Sequence, residues 1–263
     1  MGTPSQTRKT TQAIARRFGY EWDRYAELLP QYEEQFRRWT APLPPEFWQG
    51  KRVLDAGCGM GRNAYWCLTY GAREVVAFDY DQRSVDVADI LLMKFPNASV
   101  SLRSIYDIPY EAEFDCVLSI GVVHHLEDPA RAMARLAAAL RPGGTLIVWL
   151  YAQEGNEGLL RWLRPARWLT SRLPMGLVHA LTYAISIPFV GYLRLAPQRS
   201  PYRQRLARYS FRHVHSIVFD QLFPRVSRYY RREELEALCR PLGLSSVQLL
   251  HTEGYSWTIL GVK

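Results

Sequence analysis

A chain of 263 residues, 48% of them hydrophobic, can bury one full α/β core and still have residues left for a cap. Its four cysteines, Cys58, Cys67, Cys116 and Cys239, are scattered without a C-x-x-C pair, which argues against a zinc site, an iron–sulfur cluster or a disulfide framework, so no metal is expected. The net charge of +8 is unevenly spread, and Met1 to Thr11 is polar and basic with no apolar core; that excludes a secretory signal there and makes a cytosolic protein the default expectation.

In chain order, residues 1 to 9 read as a tail. Thr10 to Thr40 then sets Phe18, Tyr20, Trp22, Tyr25, Phe36 and Trp39 at roughly helical spacing, until Ala41-Pro42-Leu43-Pro44-Pro45 ends the pattern. Residues 1–50 are therefore expected to form a flexible tail and an N-terminal helical cap.

Val53-Leu54-Asp55-Ala56-Gly57-Cys58-Gly59-Met60-Gly61-Arg62 follows, and a second apolar run, Val75 to Phe78, ends on Asp79. An apolar run that meets an acid, turns through glycines and opens a helix describes a ligand-binding corner at the carboxyl edge of a parallel sheet. A dinucleotide corner wants G-x-G-x-x-G, with the third glycine admitting a pyrophosphate. Here that glycine comes one place early, at Gly61, and Arg62 stands where glycine is wanted. Asp55 is an odd neighbour for a pyrophosphate and a suitable one for an ammonium group.

A fourth strand is read at Phe114 to Ser119, a loop at Val122 to Pro129, and a helix ending in Arg141-Pro142-Gly143-Gly144 before a fifth strand, Thr145 to Leu150. Strand and helix signals alternate from Lys51 to Tyr151, which favours a parallel sheet with right-handed crossovers. The pattern then fails for about eighty residues, too long for a connection, and resumes with a helix from Arg232 to Leu242 and strands near Ser246 to Leu250 and Ser256 to Leu260. The expected division is a catalytic domain of residues 51–153 and 232–263, interrupted by an insertion of residues 154–231. Between Leu159 and Arg232 stand fourteen arginines, no lysine and one acid, Asp220, while the rest of the chain is net negative. Segregated charge speaks to partners rather than fold. The uncharged run Leu177 to Leu193 is short for a bilayer span and contains His179 and Pro188. It reads as a buried lid helix or as an apolar helix lying at a membrane surface.

From Lys51 to Tyr151 these ordered features resemble the class I S-adenosylmethionine-dependent methyltransferases. The resemblance implies an α/β, Rossmann-like three-layer sandwich with a mostly parallel seven-stranded sheet and an antiparallel last strand, plus the N-terminal helical cap and a helical insertion after the fifth strand. It implies S-adenosylmethionine as cofactor, released as S-adenosylhomocysteine, and a cofactor set of Asp55, Gly57, Cys58, Gly59, Gly61, Asp79, Tyr80, Ser104, Ile105, Tyr106, Asp107 and Gly121. Within that set Asp55 balances the methionine ammonium, Asp79 accepts the ribose hydroxyls, Tyr80 lies on the adenine face and Ile105 offers its N–H to adenine. Gly121 and Val122 line the reacting end. One departure stands out: the acid usual after the third strand aligns with Ser104, and Asp107, three residues later, takes that role. Tyr20, Trp22 and Tyr25 are lid contacts in such families, although packing of the cap explains them as well.

Methyl transfer asks mainly for alignment and exclusion of water, with a base where the acceptor must lose a proton. His124 and His125, following the fourth strand, are the expected catalytic pair, with the first facing the methyl group; the plainer alternative is that both only pack the loop. His124, His215, Asp220 and Tyr229 are the expected substrate contacts, with His213 and Tyr230 as further candidates, though Asp220 also fits an internal ion pair. The expected partner is a small-molecule acceptor, anionic or lipid-linked, with peripheral contact at the inner face of the membrane and oligomerisation as further roles for the insertion. Nucleic acid is disfavoured because Ser119-Ile120-Gly121-Val122 is no N-P-P-Y-type motif. An RNA methyltransferase using the basic insertion, or a non-catalytic protein that binds the cofactor, remain the alternatives.

Overall fold

The computed structural model describes residues 16–21, 24–198, 201–222, 224 and 226–263. The tail and Trp22 lie outside them. The chain divides into two compact units, Met1–Gly155 with Val226–Lys263, and Asn156–Arg225.

The first unit is built on a seven-stranded sheet of order β3-β2-β1-β4-β5-β7-β6. Its strands are β1 (Arg52–Ala56), β2 (Glu74–Asp79), β3 (Ala98–Leu102), β4 (Phe114–Ile120), β5 (Leu140–Tyr151), β6 (Ser246–Thr252) and β7 (Ser256–Val262). Side chains of β1 and β4 are buried on both faces, as strands covered by helices on two sides must be. β1 runs parallel to both neighbours, with Leu54 opposite Val76 on β2 and Val117 on β4. β7 alone runs opposite to the other six strands, pairing antiparallel with both β5 and β6. Glu253-Gly254-Tyr255 joins β6 directly to β7, and so short a turn permits no parallel pairing. The expected Rossmann-like sandwich is therefore the fold.

Helices cover both faces. Leu54, Val117 and Val148 pack under α4 (Pro129–Ala139) and α9 (Arg232–Cys239), through Met133, Leu136 and Leu235. Val53, Leu118 and Ile147 pack under α1 (Gln31–Trp39), α2 (Arg62–Thr69) and α3 (Gln82–Leu92), through Phe36, Cys67 and Leu92. Two starts are set by aspartate caps: Asp81 accepts the Arg83 N–H at 3.1 Å, and Asp128 accepts that of Arg131 at 3.0 Å with Pro129 at the first helical position. All four cysteines are free and buried.

Three boundaries differ from the sequence reading. The N-terminal helical pattern is broken into a first helix, whose described residues are 16–21 and 24, and α1, because Pro30 opens a new helix and disfavours helical backbone at the residue before it. β5 begins at Leu140, since Arg141 to Gly144 continue the strand past an irregularity opposite Phe114. The helix expected to run to Leu242 ends at Cys239 and finishes as a 3₁₀ turn where Pro241 enters.

The second unit holds α5 (Glu157–Thr170), α6 (Met175–Leu195), α7 (Pro201–Arg208) and α8 (Phe211–Leu222). α5 and α6 both pack on α8. Val190, Leu193, Leu206, Tyr209 and Val214 form its small core.

Candidate active site

The carboxyl ends of β1 and β2 shape the corner. Gly57 and Cys58 both donate their N–H groups to the Phe78 carbonyl at 2.9 Å, which ties the glycine loop to the end of β2. Gly57 has φ +81, and a β-carbon there would stand 2.5 Å from Val122 Cγ2. Only glycine lets the loop and the segment after β4 approach so closely. Gly61, also left-handed, lets α2 start against Ala88. Arg62 lies over the rings of Tyr32 and Trp39, at 4.7 and 5.3 Å, and so serves the cap of α1 where a pyrophosphate loop would have glycine.

Two carboxylates face this loop. Asp79, partly exposed, accepts the N–H of Gly59 and that of Asp81, each at 3.0 Å, yet burial still raises its pKa. Asp55 is fully buried; its Oδ2 accepts the Ala64 N–H at 3.1 Å, and its Oδ1 has no hydrogen-bond partner among the described residues. Burial, reinforced by the charge of Asp79, pushes Asp55 up to about 7, against the opposing pull of the Ala64 N–H and Arg62. A buried, half-satisfied acid with a second acid beside it is a site for a cationic donor. The α-ammonium of S-adenosylmethionine fits that requirement, and the glycines leave the cradle open. Burial and these same two carboxylates hold the Cys58 thiol up and unreactive.

Ser104 caps the 3₁₀ turn Ile105–Asp107 by accepting the Tyr106 N–H at 3.2 Å, and Asp107 sits exposed at the turn's end. Tyr80 is half-buried after β2. Tyr106 packs into the core instead, its hydroxyl accepting the Asp128 N–H at 3.1 Å and Arg131 lying over its ring. The first helix reaches the same edge. Gly19 lies so close on Asp81 that a β-carbon would overlap the carboxylate, Arg83 donates to the Arg16 carbonyl, and Phe18 stands 4.7 Å from the His125 ring. Tyr25 is buried, and Tyr20 carries Arg24 over its ring.

Gly121 and Val122 lead from β4 into the 3₁₀ turn Val123–His125. Both histidines are buried, with ring centroids 4.1 Å apart. His125 donates from Nδ1 to the Val226 carbonyl at 2.8 Å, because a carbonyl only accepts; when neutral it carries its proton there and keeps Nε2 as the basic nitrogen. His124 faces β5, 4.1 Å from Tyr151, with Trp149 beyond. Tyr229 stacks on Tyr151 at 5.1 Å and 21°, while Tyr230 bridges to Ala152 and its hydroxyl is pushed up to about 12 by burial. Tyr229 thus joins the histidine pair. His213, His215 and Asp220 lie on α8 in the second unit. There His213 stacks on Tyr209, and His215 meets Ser186 Oγ at 3.0 Å. Burial, then the neighbouring His179, holds His215 down to about 4, so it is neutral at neutral pH.

The aromatic wall of Trp149 and Tyr151 is missing from the sequence reading. The signal was present: two aromatics at period two at the end of a buried strand point to the same face. Among the described residues no group of three or more His, Cys, Asp or Glu is placed to hold a metal ion.

Residues 54–148 match a family model described as a methyltransferase domain. The chain is 33% identical over 150 residues to a tRNA U34 carboxymethyltransferase of Pseudoalteromonas translucida, covering 54% of this chain and 39% of that protein. It is 39% identical over 113 residues to the protein of the same name in Methylococcus capsulatus, covering 41% and 35%. The chain thus spans about a third of the length of the curated relatives it matches. Among solved structures, the Burkholderia thailandensis 1,6-didemethyltoxoflavin-N1-methyltransferase with bound 1,6-didemethyltoxoflavin and S-adenosylhomocysteine aligns with a TM-score of 0.60 at 17% identity, covering 100% of this chain and 91% of that one. At that identity the likeness is one of fold.

Proposed function

We propose that the chain, whose residues 54–148 match the methyltransferase-domain model, is a class I S-adenosylmethionine-dependent methyltransferase that moves a methyl group to a small or lipid-linked acceptor held at the carboxyl ends of β4 and β5. The observation that carries the reading is Asp55, buried with one oxygen unsatisfied beside Asp79 across a loop of glycines. When bound, S-adenosylmethionine supplies a methyl group already activated on a sulfonium.

The chain's residues then bind, orient and dehydrate. Asp55 takes the methionine ammonium, Asp79 the ribose hydroxyls, and Tyr80 with the turn Ser104 to Asp107 borders the adenine. Gly121 and Val122 border the reacting end. The first helix, resting on Asp81 and His125, covers that edge and keeps water away. Alignment of this kind is worth about 7–11 kcal/mol of barrier in well-oriented systems. Where the acceptor must lose a proton, the histidine pair receives it: His124 faces the wall of Tyr151 and Tyr229, and His125 has its tautomer set by the Val226 carbonyl. The wall offers flat apolar surface to an acceptor stacked against it.

A second reading, an RNA acceptor, is favoured by the name of the relatives in Pseudoalteromonas and Methylococcus and by the arginines between Leu159 and Arg232. One experiment separates these readings. The full chain is incubated with methyl-labelled cofactor and, in parallel, with tRNA, lipid extract and water-soluble metabolites. Label in the lipid or metabolite fraction supports the first reading, and label in tRNA supports the second. Calorimetric binding of S-adenosylhomocysteine with no label transferred in any arm leaves a protein that only binds the cofactor.

A further inference from the structure

The described residues expose fifteen large hydrophobic side chains, and eleven of these lie on α5 and α6. The other four, Ile90, Met93, Leu102 and Val247, are dispersed over the first unit, as single exposed apolar residues ordinarily are. On the two helices they include Trp162 (77% exposed), Trp168 (65%), Ile187 (60%) and Leu195 (88%).

α6 is apolar on its outer side as well as its inner one. From Met175 to Leu193 it carries no charge; its buried side holds Val178, Val190 and Leu193 together with Thr182 and Ser186, the latter meeting His215 on α8, and Leu177, Leu181, Ile185 and Ile187 face outward as well. A helix docked on a water-soluble body buries its apolar side and wets its polar one. Here the outer side is apolar too, the arrangement expected where the surroundings are hydrocarbon rather than water.

Charge narrows the choice of surroundings. No acidic residue occurs from Gly158 to Phe219, while Arg161 and Arg164 stand exposed on α5, Arg172 lies 4.2 Å over the ring of Trp168, and Arg194 closes α6. A second copy pressed face to face would set arginine against arginine. RNA would satisfy the arginines and leave the isoleucines and leucines in water. An anionic lipid surface satisfies both, with tryptophan at the headgroup level, arginine at the phosphates and aliphatic side chains below. Although α6 has 21 residues, a length that reaches across a bilayer, one side of it is occupied by α8 and Pro188 lies inside it, so it lies in the interface plane rather than across.

We propose that the α5–α6 face of the second unit binds the headgroup region of an anionic bilayer, its arginines pairing with lipid phosphates and its exposed isoleucines and tryptophans entering the acyl boundary. This holds independently of whether the first unit transfers methyl groups.

The test is flotation of the full chain with vesicles of phosphatidylcholine alone and of phosphatidylcholine with phosphatidylglycerol. Expected is flotation with the anionic vesicles that weakens as salt is raised. Arg161→Gln with Arg164→Gln lowers the partition about fivefold per arginine. Ile185→Ser with Ile187→Ser lowers it roughly tenfold. Since these four side chains are outward-facing, melting temperatures stay at the wild-type value, and a variant that melts early is replaced by the other pair. Chain that remains at the bottom of both gradients overturns the proposal. So does equal flotation with neutral vesicles, resistance to alkaline carbonate extraction, or a dimer in lipid-free buffer that the isoleucine variant dissociates.

Discussion

Replacing Asp55 with asparagine separates two demands made on one side chain. In the folded protein burial holds this carboxyl up to about 7, against an ordinary 3.8. An acid raised in the folded state keeps its proton there while the unfolded chain has already released it. Stability is therefore lost as pH climbs from about 4 to about 7, and the loss is complete above that. A span of about three units corresponds to about 4 kcal/mol. The asparagine side chain would keep an oxygen for the Ala64 N–H and carry no charge, so the ligand-free Asp55→Asn protein should melt higher than the wild type, the gap opening between about pH 4 and about pH 7 and staying constant beyond. Ligand binding moves the other way. Loss of a charge-assisted hydrogen bond to an ammonium costs about 1.5–3 kcal/mol, or about ten- to a hundredfold in Kd. Thermal unfolding across the pH range, paired with calorimetric titration of S-adenosylhomocysteine, reads both effects. A variant that melts lower than the wild type when free, or that binds with undiminished affinity, would refute the assignment of Asp55 as the buried acid awaiting a cation.

Gly57→Ala should abolish cofactor binding and lower the melting temperature, because left-handed backbone costs a residue with a β-carbon about 1–2 kcal/mol and the new methyl meets Val122; adding Val122→Ala should relieve the overlap and restore only part of the loss in a thermal shift assay. His124→Ala should reduce kcat by about 10²–10⁴ with the affinity for S-adenosylhomocysteine unchanged, and turnover at the wild-type rate would remove it as the base. Tyr229→Leu should raise the acceptor's KM more than it lowers kcat, since Tyr229 backs the wall through Tyr151 and lies away from the glycine loop; a defect confined to cofactor binding would contradict that. His215, held down to about 4, binds its proton more weakly folded than unfolded, so the second unit should lose stability, of order 3 kcal/mol, as pH falls from about 6.5 to about 4. Hydrogen exchange over residues 156–225 should show that loss in the wild type and a flatter pH dependence in His215→Leu.

What was legible in the sequence follows from how far apart the interacting parts stand along the chain. The glycine corner could be read because Asp55, Gly57, Gly61 and the helix start are consecutive, and local backbone requirements fix residue type there. The antiparallel β7 could be expected because a short turn joins it to β6. The aromatic cluster beside the histidine pair could not be read the same way. It is assembled from Phe18, His124, Tyr151 and Tyr229, which meet only after the chain has left the sheet for α5 to α8 and returned at Val226. The aromatic content of 18–25 was visible, but its docking depends on Gly19 fitting against Asp81, a contact between positions without a shared motif.

The return segment helps to hold the histidine pair after β4 through backbone groups. Val226 offers its carbonyl to His125, Arg228 donates its N–H to the His124 carbonyl at 2.8 Å, and Tyr230 exchanges hydrogen bonds with Tyr151 and Gln153 on either side of the Ala152 bridge. Three alternate residues of the segment 226–230 thus fix His125's tautomer, the backbone of His124 and the end of β5. Backbone groups do here what an aspartate does in a catalytic triad, orienting an imidazole without adding a charge to a site that already holds Asp55 and Asp79.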